Sequence, residues 1–329
     1  MPTEVPGISR TSGAVSLSYY EETGIGPALI EGGLFREILV WALSDADALV
    51  PPGVVWRIHF TGDMVTSVAE LNGTSEGETY TLDRGANVVA GKTIKQPDGS
   101  FDVVVSFDVW NVAVSEDIDH SVQEMALTLR HTLMHEAGHV AIDARGEDAL
   151  DLIDDVDGLD RASVEWARHL GFMLEDYRIE LALHSLAPNQ IPRVSMISED
   201  LALFDAERSR SQRVGAEGRF VEGREVMLKA MVDLTRVLAY LAAECVDPVP
   251  TLVGADLERW NRFVAPTWES WVAAYGAALP ATQPMARTEI IEIIRTLSRL
   301  APAMLSSVGF ERTFEGDNEA VWWLRSFEW

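Results

Sequence analysis

The chain has 329 residues, 47% of them hydrophobic and 24% charged, a balance that places it among globular proteins able to bury a large core, in one large or two ordinary domains. Fifty-two acidic against 26 basic residues give a formal charge of -26, which argues against nucleic acid or an anionic membrane surface as a partner and leaves basic or neutral substrates easier to admit. Cys245 is the only cysteine, so an intrachain disulfide and a thiolate-held metal are both excluded.

At the N-terminus, Pro2, Glu4 and Pro6 stand where a signal peptide would carry positive charge and then an apolar run, so no leader is expected and a cytoplasmic location is. No run of eighteen apolar residues occurs further on either. Across residues 26–50, Leu29, Ile30, Leu34, Ile38, Leu39 and Leu43 recur at helical spacing before Pro51, Pro52 and Gly53 stop the pattern, which predicts a first helix. Four Val- and Ile-rich stretches follow, at residues 54–60, 64–71, 87–95 and 101–112, divided by turn residues such as Gly62-Asp63, Asn72-Gly73 and Pro97-Asp98-Gly99. These are expected to be strands of a small mixed sheet, the last two joined as a hairpin through residues 96–100.

Cap residues within 117–121 then introduce a long helix running to about Ala144, with Arg145-Gly146 near its end. That helix contains His135-Glu136-Ala137-Gly138-His139, one complete H-E-x-x-H. Four residues apart on a helix, His135 and His139 leave the same face one turn apart and can share a tetrahedral zinc ion. Glu136 lies beside them, placed to take a proton from a metal-bound water. The alternative is a helix with two core histidines, each of which would need a polar partner. His131 shares the motif face one turn earlier, but three ligands in a straight row cannot surround one ion, so it is expected to pack or to support a ligand.

Residues 146–160 form an acidic segment around Gly158. Aligning Gly158 with the glycine of an EF-hand loop puts Ile153 where the first carboxylate belongs and Val164 where the final Glu belongs, so a solvated acidic loop is expected instead of a calcium site. Residues 163–186 then read as a helix ended by Pro188, carrying Glu175, Asp176, Tyr177, Arg178 and Glu180. Catalytic zinc has three protein ligands and one open position, and the motif helix supplies only two. Asp176 and Glu180 share a face, so that one can ligate while the other orients a motif histidine from behind; Glu175 points about 100° away. Asp176 is the favoured third ligand and Glu180 its support, with Glu175 as the alternative ligand. For the oxyanion stabiliser Tyr177, Arg178 and His184 are candidates by proximity in sequence.

Two resemblances bear on these residues. The uncharged Leu133, Ala137, Gly138, Val140 and Ala141 around the motif, with Thr132 leading, resemble the extended motif of zincin metallopeptidases. The stretch from Glu175 to Glu180 is similar to the Glu-Asp-x-Arg-hydrophobic-Glu helix of some bacterial and phage metallopeptidases. The zincin resemblance implies an N-terminal subdomain in the order helix, strands, motif helix, and covers about residues 28–187. The chain departs from better-known patterns: six residues after His139 stands Arg145, not the His or Asp of metzincins, and there is no Asn-Glu-x-x-x-Asp, so no named peptidase family follows.

Beyond Pro188, residues 189–196 read as a linker and helices are expected at about 198–209, 219–245, 255–279 and 285–307. Trp260, Trp268, Trp271, Trp322, Trp323 and Trp329 read as packing residues, and Phe327-Glu328-Trp329 as an apolar end docked on the body. The expected protein is α+β: a zincin-like half over residues 1–187 (helix, small mixed sheet, H-E-x-x-H helix) and a mainly α-helical half over 188–329. The expected function is hydrolysis of peptide bonds in a peptide or protein substrate, with Zn2+ held by His135, His139 and Asp176 and Glu136 as the catalytic base. The rivals are a regulatory zincin acting on one specific partner protein and a non-enzymatic metal-binding protein. Oligomeric state is not legible.

Overall fold

A computed structural model describes residues 13–15, 33–73, 83–84, 87–88, 90–106, 118–188, 193–244, 251–315 and 319–324. It is α+β, mostly helical with a small mixed sheet. The contacts divide the chain into two compact units, residues 1–146 with 182–190, and residues 147–181 with 191–329. Against the expected boundary at residue 187, the stretch 147–181 groups with the later residues.

In the first unit, helix α1 (Gly33–Asp47) buries Leu39, Ala42, Leu43 and Ala46, a stripe at helical spacing, and packs on helix α3 (Ile118–Ala144). Arg130 of α3 secures the pair: its guanidinium donates to Asp45 at 2.7 Å and lies over the Trp41 ring. The sheet runs in the order β1 (Gly13–Val15), β2 (Trp56–Thr61), β6 (Phe101–Ser106), β5 (Gly91–Lys95). Neighbouring β1, β2 and β6 are parallel, while β5 pairs antiparallel with β6, setting Thr93 opposite Val103. The β5–β6 turn is the expected hairpin: Gln96 N–H donates to Ser100 O, the Asp98 carboxylate accepts from the backbone and hydroxyl of Ser100, and Gly99 has a φ of +82°. A separate two-residue ladder joins β3 (Asp83–Arg84) to β4 (Asn87–Val88).

The stretch expected as a strand at 64–71 is instead helix α2 (Met64–Asn72). Met64, Val68 and Leu71 follow a helical repeat, and Met64 and Val68 pack with Ile94 and Val104 of the sheet. Both ends are capped: Asp63 accepts from the Thr66 N–H, and Gly73 takes the left-handed conformation with its N–H on the last carbonyls. A parallel β2–β6 pair also demands a crossover between them, and α2 lies in it. The long strand expected at 87–95 is two pieces, β4 and β5, and residues 107–112 of the stretch expected as 101–112 lie outside the described residues.

The sheet carries one buried charge cluster. Asp102 of β6 accepts from Arg57 at 2.7 and 3.0 Å and pairs with His59 at 2.8 Å, both from β2. Burial pushes the Asp102 carboxyl up, but the Arg57 and His59 hydrogen bonds outweigh it and hold it below the ordinary carboxylate range.

The second unit holds α4 (Ala149–Leu152), α5 (Arg161–Leu186, its last turn grouped with the first unit), α6 (Arg193–Ala216), α7 (Phe220–Ala243), α8 (Gly254–Phe263), α9 (Ala265–Tyr275), α10 (Arg287–Ser307) and an antiparallel hairpin of β7 (Phe310–Glu315) and β8 (Glu319–Leu324). The helix expected at 255–279 breaks at Val264, because Pro266 starts a new helix and cannot continue an old one. Trp260 and Trp271 are fully buried, and Trp268 meets Trp260 edge-on with ring centroids 5.4 Å apart. Trp329 and the expected docking of residues 327–329 lie outside the described residues, as does the linker up to residue 192.

The acidic segment is solvated at Asp151, Asp154, Asp155, Asp157 and Asp160, as expected, but it is not all loop. It contains α4, capped by Asp148, and a 3-10 turn at Ile153–Asp155; Asp155 and Asp157 pair with Arg287 and Arg295 of α10, and Asp160 caps α5 through the Ser163 N–H. Glu147 is buried against Arg178 at 2.7 Å, and Arg178 also donates to the carbonyls of Leu279 and Gln283. Met285 N–H completes the Glu147 carboxylate. Nε and Nη2 of Arg178 and both carboxylate oxygens of Glu147 end on partners, the kind of pairing under which a buried ion pair is tolerated. Removing one member strands the other. Arg178→Ala should therefore cost about 3–5 kcal/mol in urea unfolding, whereas Arg178→Met combined with Glu147→Leu should cost clearly less; equal losses in the two variants would show that the charge itself is not what matters.

Candidate metal centre

The motif helix α3 is buried around much of its circumference. Leu129, Leu133, Met134, Ala137, Val140, Ala141 and Ile142 are each at most 3% exposed, so its position and rotation are set by packing before any metal is considered. His135 and His139 are half-buried, with ring centroids 5.1 Å apart, and His131 stands 6.4 Å from His135. His131 shares a hydrogen bond of 2.8 Å between Nδ1 and the Ala187 carbonyl.

On α3 the imidazoles of His135 and His139 stand one turn apart, and on α5 Asp176 and Glu180, four residues apart, share a face. Two imidazoles and one carboxylate are a donor set suited to zinc. Glu175 is placed differently. Its buried carboxylate accepts from the Ala149 N–H at 2.5 Å, at the start of α4.

Asp176 has a neighbour on α7. The Tyr240 hydroxyl donates to Asp176 Oδ2 at 3.4 Å, and burial first, then the Asp176 charge, push that phenol well above its ordinary range. The expected oxyanion candidates are all differently engaged: Arg178 is buried on Glu147, the Tyr177 ring stacks on Tyr275 at 4.8 Å, and His184 is exposed.

Glu136 is 5% exposed. Its Oε2 accepts a hydrogen bond of 2.7 Å from the Thr93 hydroxyl on β5. Beside it, Gly91 leaves the room the carboxylate occupies: a Cβ built there would stand 2.5 Å from Glu136 Oε1. Neither residue was singled out from the sequence. A Gly and a Thr two apart in a β-rich stretch is an ordinary strand pattern, and Tyr240 sits unremarked in the apolar run of α7.

Comparisons with protein-family models, with curated proteins and with solved structures find no match. Among the described residues no helix is long and apolar enough to cross a membrane.

On α5, two turns before Asp176, His169 is buried and shares a 2.9 Å hydrogen bond with the Thr235 hydroxyl. Burial first, then the Arg236 charge, lower its pKa from 6.5 to about 3. Between those values the unfolded chain carries a proton that the folded chain refuses, so this residue makes stability fall as the pH falls through that window. The slope it adds approaches about 1.4 kcal/mol per pH unit. His169→Gln should flatten the acid limb of stability against pH measured by urea unfolding; parallel limbs for parent and variant would remove His169 as its source.

Proposed function

We propose that the protein is a zinc-dependent metallopeptidase of zincin type, working on a peptide or protein substrate. The observation that carries the reading is the pair of half-buried imidazoles of His135 and His139 on α3, ring centroids 5.1 Å apart, with the buried Glu136 next to His135 in the chain and hydrogen-bonded to Thr93. In this reading His135, His139 and Asp176 hold the ion, and Glu180 supports a motif histidine. When bound, zinc would act as a Lewis acid on the scissile carbonyl and make water acidic enough to attack near neutral pH. Glu136 takes the proton that the attacking water loses as its oxygen bonds to the carbonyl carbon. It returns a proton to the amine nitrogen as the C–N bond breaks. Burial of Glu136 and its hydrogen bond to Thr93 serve both steps by holding the carboxylate in one orientation.

The fixed separation of roles supports an enzyme over a passive metal site. A structural site has no use for a general base, whereas here a third motif residue is buried and hydrogen-bonded alongside the two imidazoles. The strongly acidic composition makes basic or neutral peptide segments the more favourable substrates. A cytoplasmic setting fits the lone Cys245, which leaves the chain no internal disulfide.

Elemental analysis and a degenerate peptide library test the proposal together. The purified protein should carry about one zinc per chain, His139→Ala should lose it, and Glu136→Gln should keep it while cleavage disappears. Zinc content unchanged by His139→Ala would remove the motif as the metal site. For the third ligand, Asp176→Ala should strip the metal, Glu180→Ala should weaken binding or activity about 10- to 100-fold, and Glu175→Ala should leave the metal bound. Loss of zinc in Glu175→Ala with retention in Asp176→Ala would reverse the assignment of those two residues.

A further inference from the structure

We infer that Thr93, on the edge strand β5, is the positioning residue for Glu136, and that Gly91 is the clearance which makes that position possible. The inference rests on the peptidase reading, because only there does the orientation of Glu136 matter. Gly91 and Thr93 are two residues apart in a strand and so face the same way. Both meet Glu136. The Thr93 hydroxyl is 2.7 Å from Oε2 and 3.2 Å from the Glu136 carbonyl oxygen. It has one proton to give, and the shorter, charge-assisted bond to the carboxylate is the stronger claim on it. The carbonyl contact shows that Thr93 reaches the helix turn itself, so its hydroxyl is referenced to the backbone that carries the base.

Gly91 restrains the other oxygen by shape. A Cβ at that position would lie 2.5 Å from Oε1, 2.7 Å from Cγ and 2.8 Å from Cδ of Glu136. Even alanine would force the carboxylate to move. The two oxygens are thereby made unequal: Oε2 is tied to a donor, while Oε1 rests against bare backbone with its lone pairs available to a water proton. Thr93 keeps its own proton throughout and touches no reacting atom. Its role is to hold the base in one orientation before substrate arrives, which is the preorganisation that separates a general base from a merely adjacent carboxylate.

Three variants test this: Thr93→Val, which keeps the branched shape and removes the hydroxyl, Thr93→Ser, which keeps the hydroxyl, and Gly91→Ala. Each is measured for zinc content, for kcat and KM on one peptide selected by the parent from a degenerate pool, and for the affinity of the zinc-loaded protein for acetohydroxamic acid, a chelator that passes its hydroxyl proton to a neighbouring carboxylate. Thr93→Val should keep its zinc and its KM, lose about 10- to 100-fold in kcat and bind the hydroxamate correspondingly more weakly. Thr93→Ser should restore both, and Gly91→Ala should lose both with Thr93 intact. Parental kcat and hydroxamate affinity in Thr93→Val, or a Thr93→Ser as impaired as Thr93→Val, overturns the inference. A parent that binds no zinc or cleaves no peptide overturns the peptidase reading and this inference with it, and that failure is visible before any variant is compared.

Discussion

A helix can turn two side chains one turn apart toward a single point, and no more than two, because a third on the same face is carried a further 6 Å along the axis. That constraint governs the candidate centre. His135 and His139 exhaust what the motif helix can offer one ion, so a third donor must come from another element, and that element's helical phase decides which of its carboxylates qualifies. On α5 the adjacent Glu175 and Asp176 leave the helix about 100° apart, and the structure finds them in different surroundings: Glu175 at the Ala149 N–H, Asp176 beside the Tyr240 hydroxyl. The neighbours of a carboxylate, and not its distance along the sequence from the motif, separate a cap from a candidate ligand.

The parts legible in the sequence were those with a period or a stop signal. The long motif helix, the helix carrying Glu175, Asp176 and Glu180, and the β5–β6 hairpin follow from repeat and turn chemistry alone. Helix α2 did not, since Val65, Thr66 and Val68 favour strands by composition while the spacing of Met64, Val68 and Leu71 and the Asp63 and Gly73 caps favour a helix; spacing and caps prevailed. The β7–β8 hairpin was missed because its strands mix charged and aromatic residues without a clean alternation. The acidic segment misled in another way. Its carboxylates read as a solvated run, yet Asp155 and Asp157 find cations more than a hundred residues away, at Arg287 and Arg295, and no local pattern announces a partner at that distance.

Polar burial in the two units follows one logic with different outcomes. Asp102 stays charged because Arg57 and His59 supply more than its burial removes. Arg178 and Glu147 are both nearly inaccessible, and each also bonds main-chain groups, at Leu279 and Gln283 for the one and Met285 for the other. His169 takes the opposite course. With a hydroxyl as partner and a cation nearby, it gains nothing from a proton, and burial leaves it neutral. A buried titratable side chain is thus no marker of a reactive one here; the distinction lies in whether its partners leave an oxygen or nitrogen unspent.

Glu136 meets that criterion through the geometry of the edge strand. Strand β5 touches α3 at two places, Thr93 on Glu136 and, two residues later, Lys95 on Asp143 at 2.7 Å. Two residues of strand advance about 6.6 Å, whereas the seven residues from Glu136 to Asp143 advance a helix about 10.5 Å. The long Lys95 side chain takes up the difference, and the short Thr93 side chain does not stretch. Of the two ties, the Thr93 contact is therefore the one that fixes the register of strand on helix, and the Lys95 pair, half-exposed and flexible, follows it. A carboxylate placed at the rigid tie inherits the position of the sheet, since β5 is held along its length by β6, whose valines are fully buried. The orientation of one carboxylate is in this way referred to the packing of the whole first unit, and a change in that packing far from His135 would be felt first at Glu136.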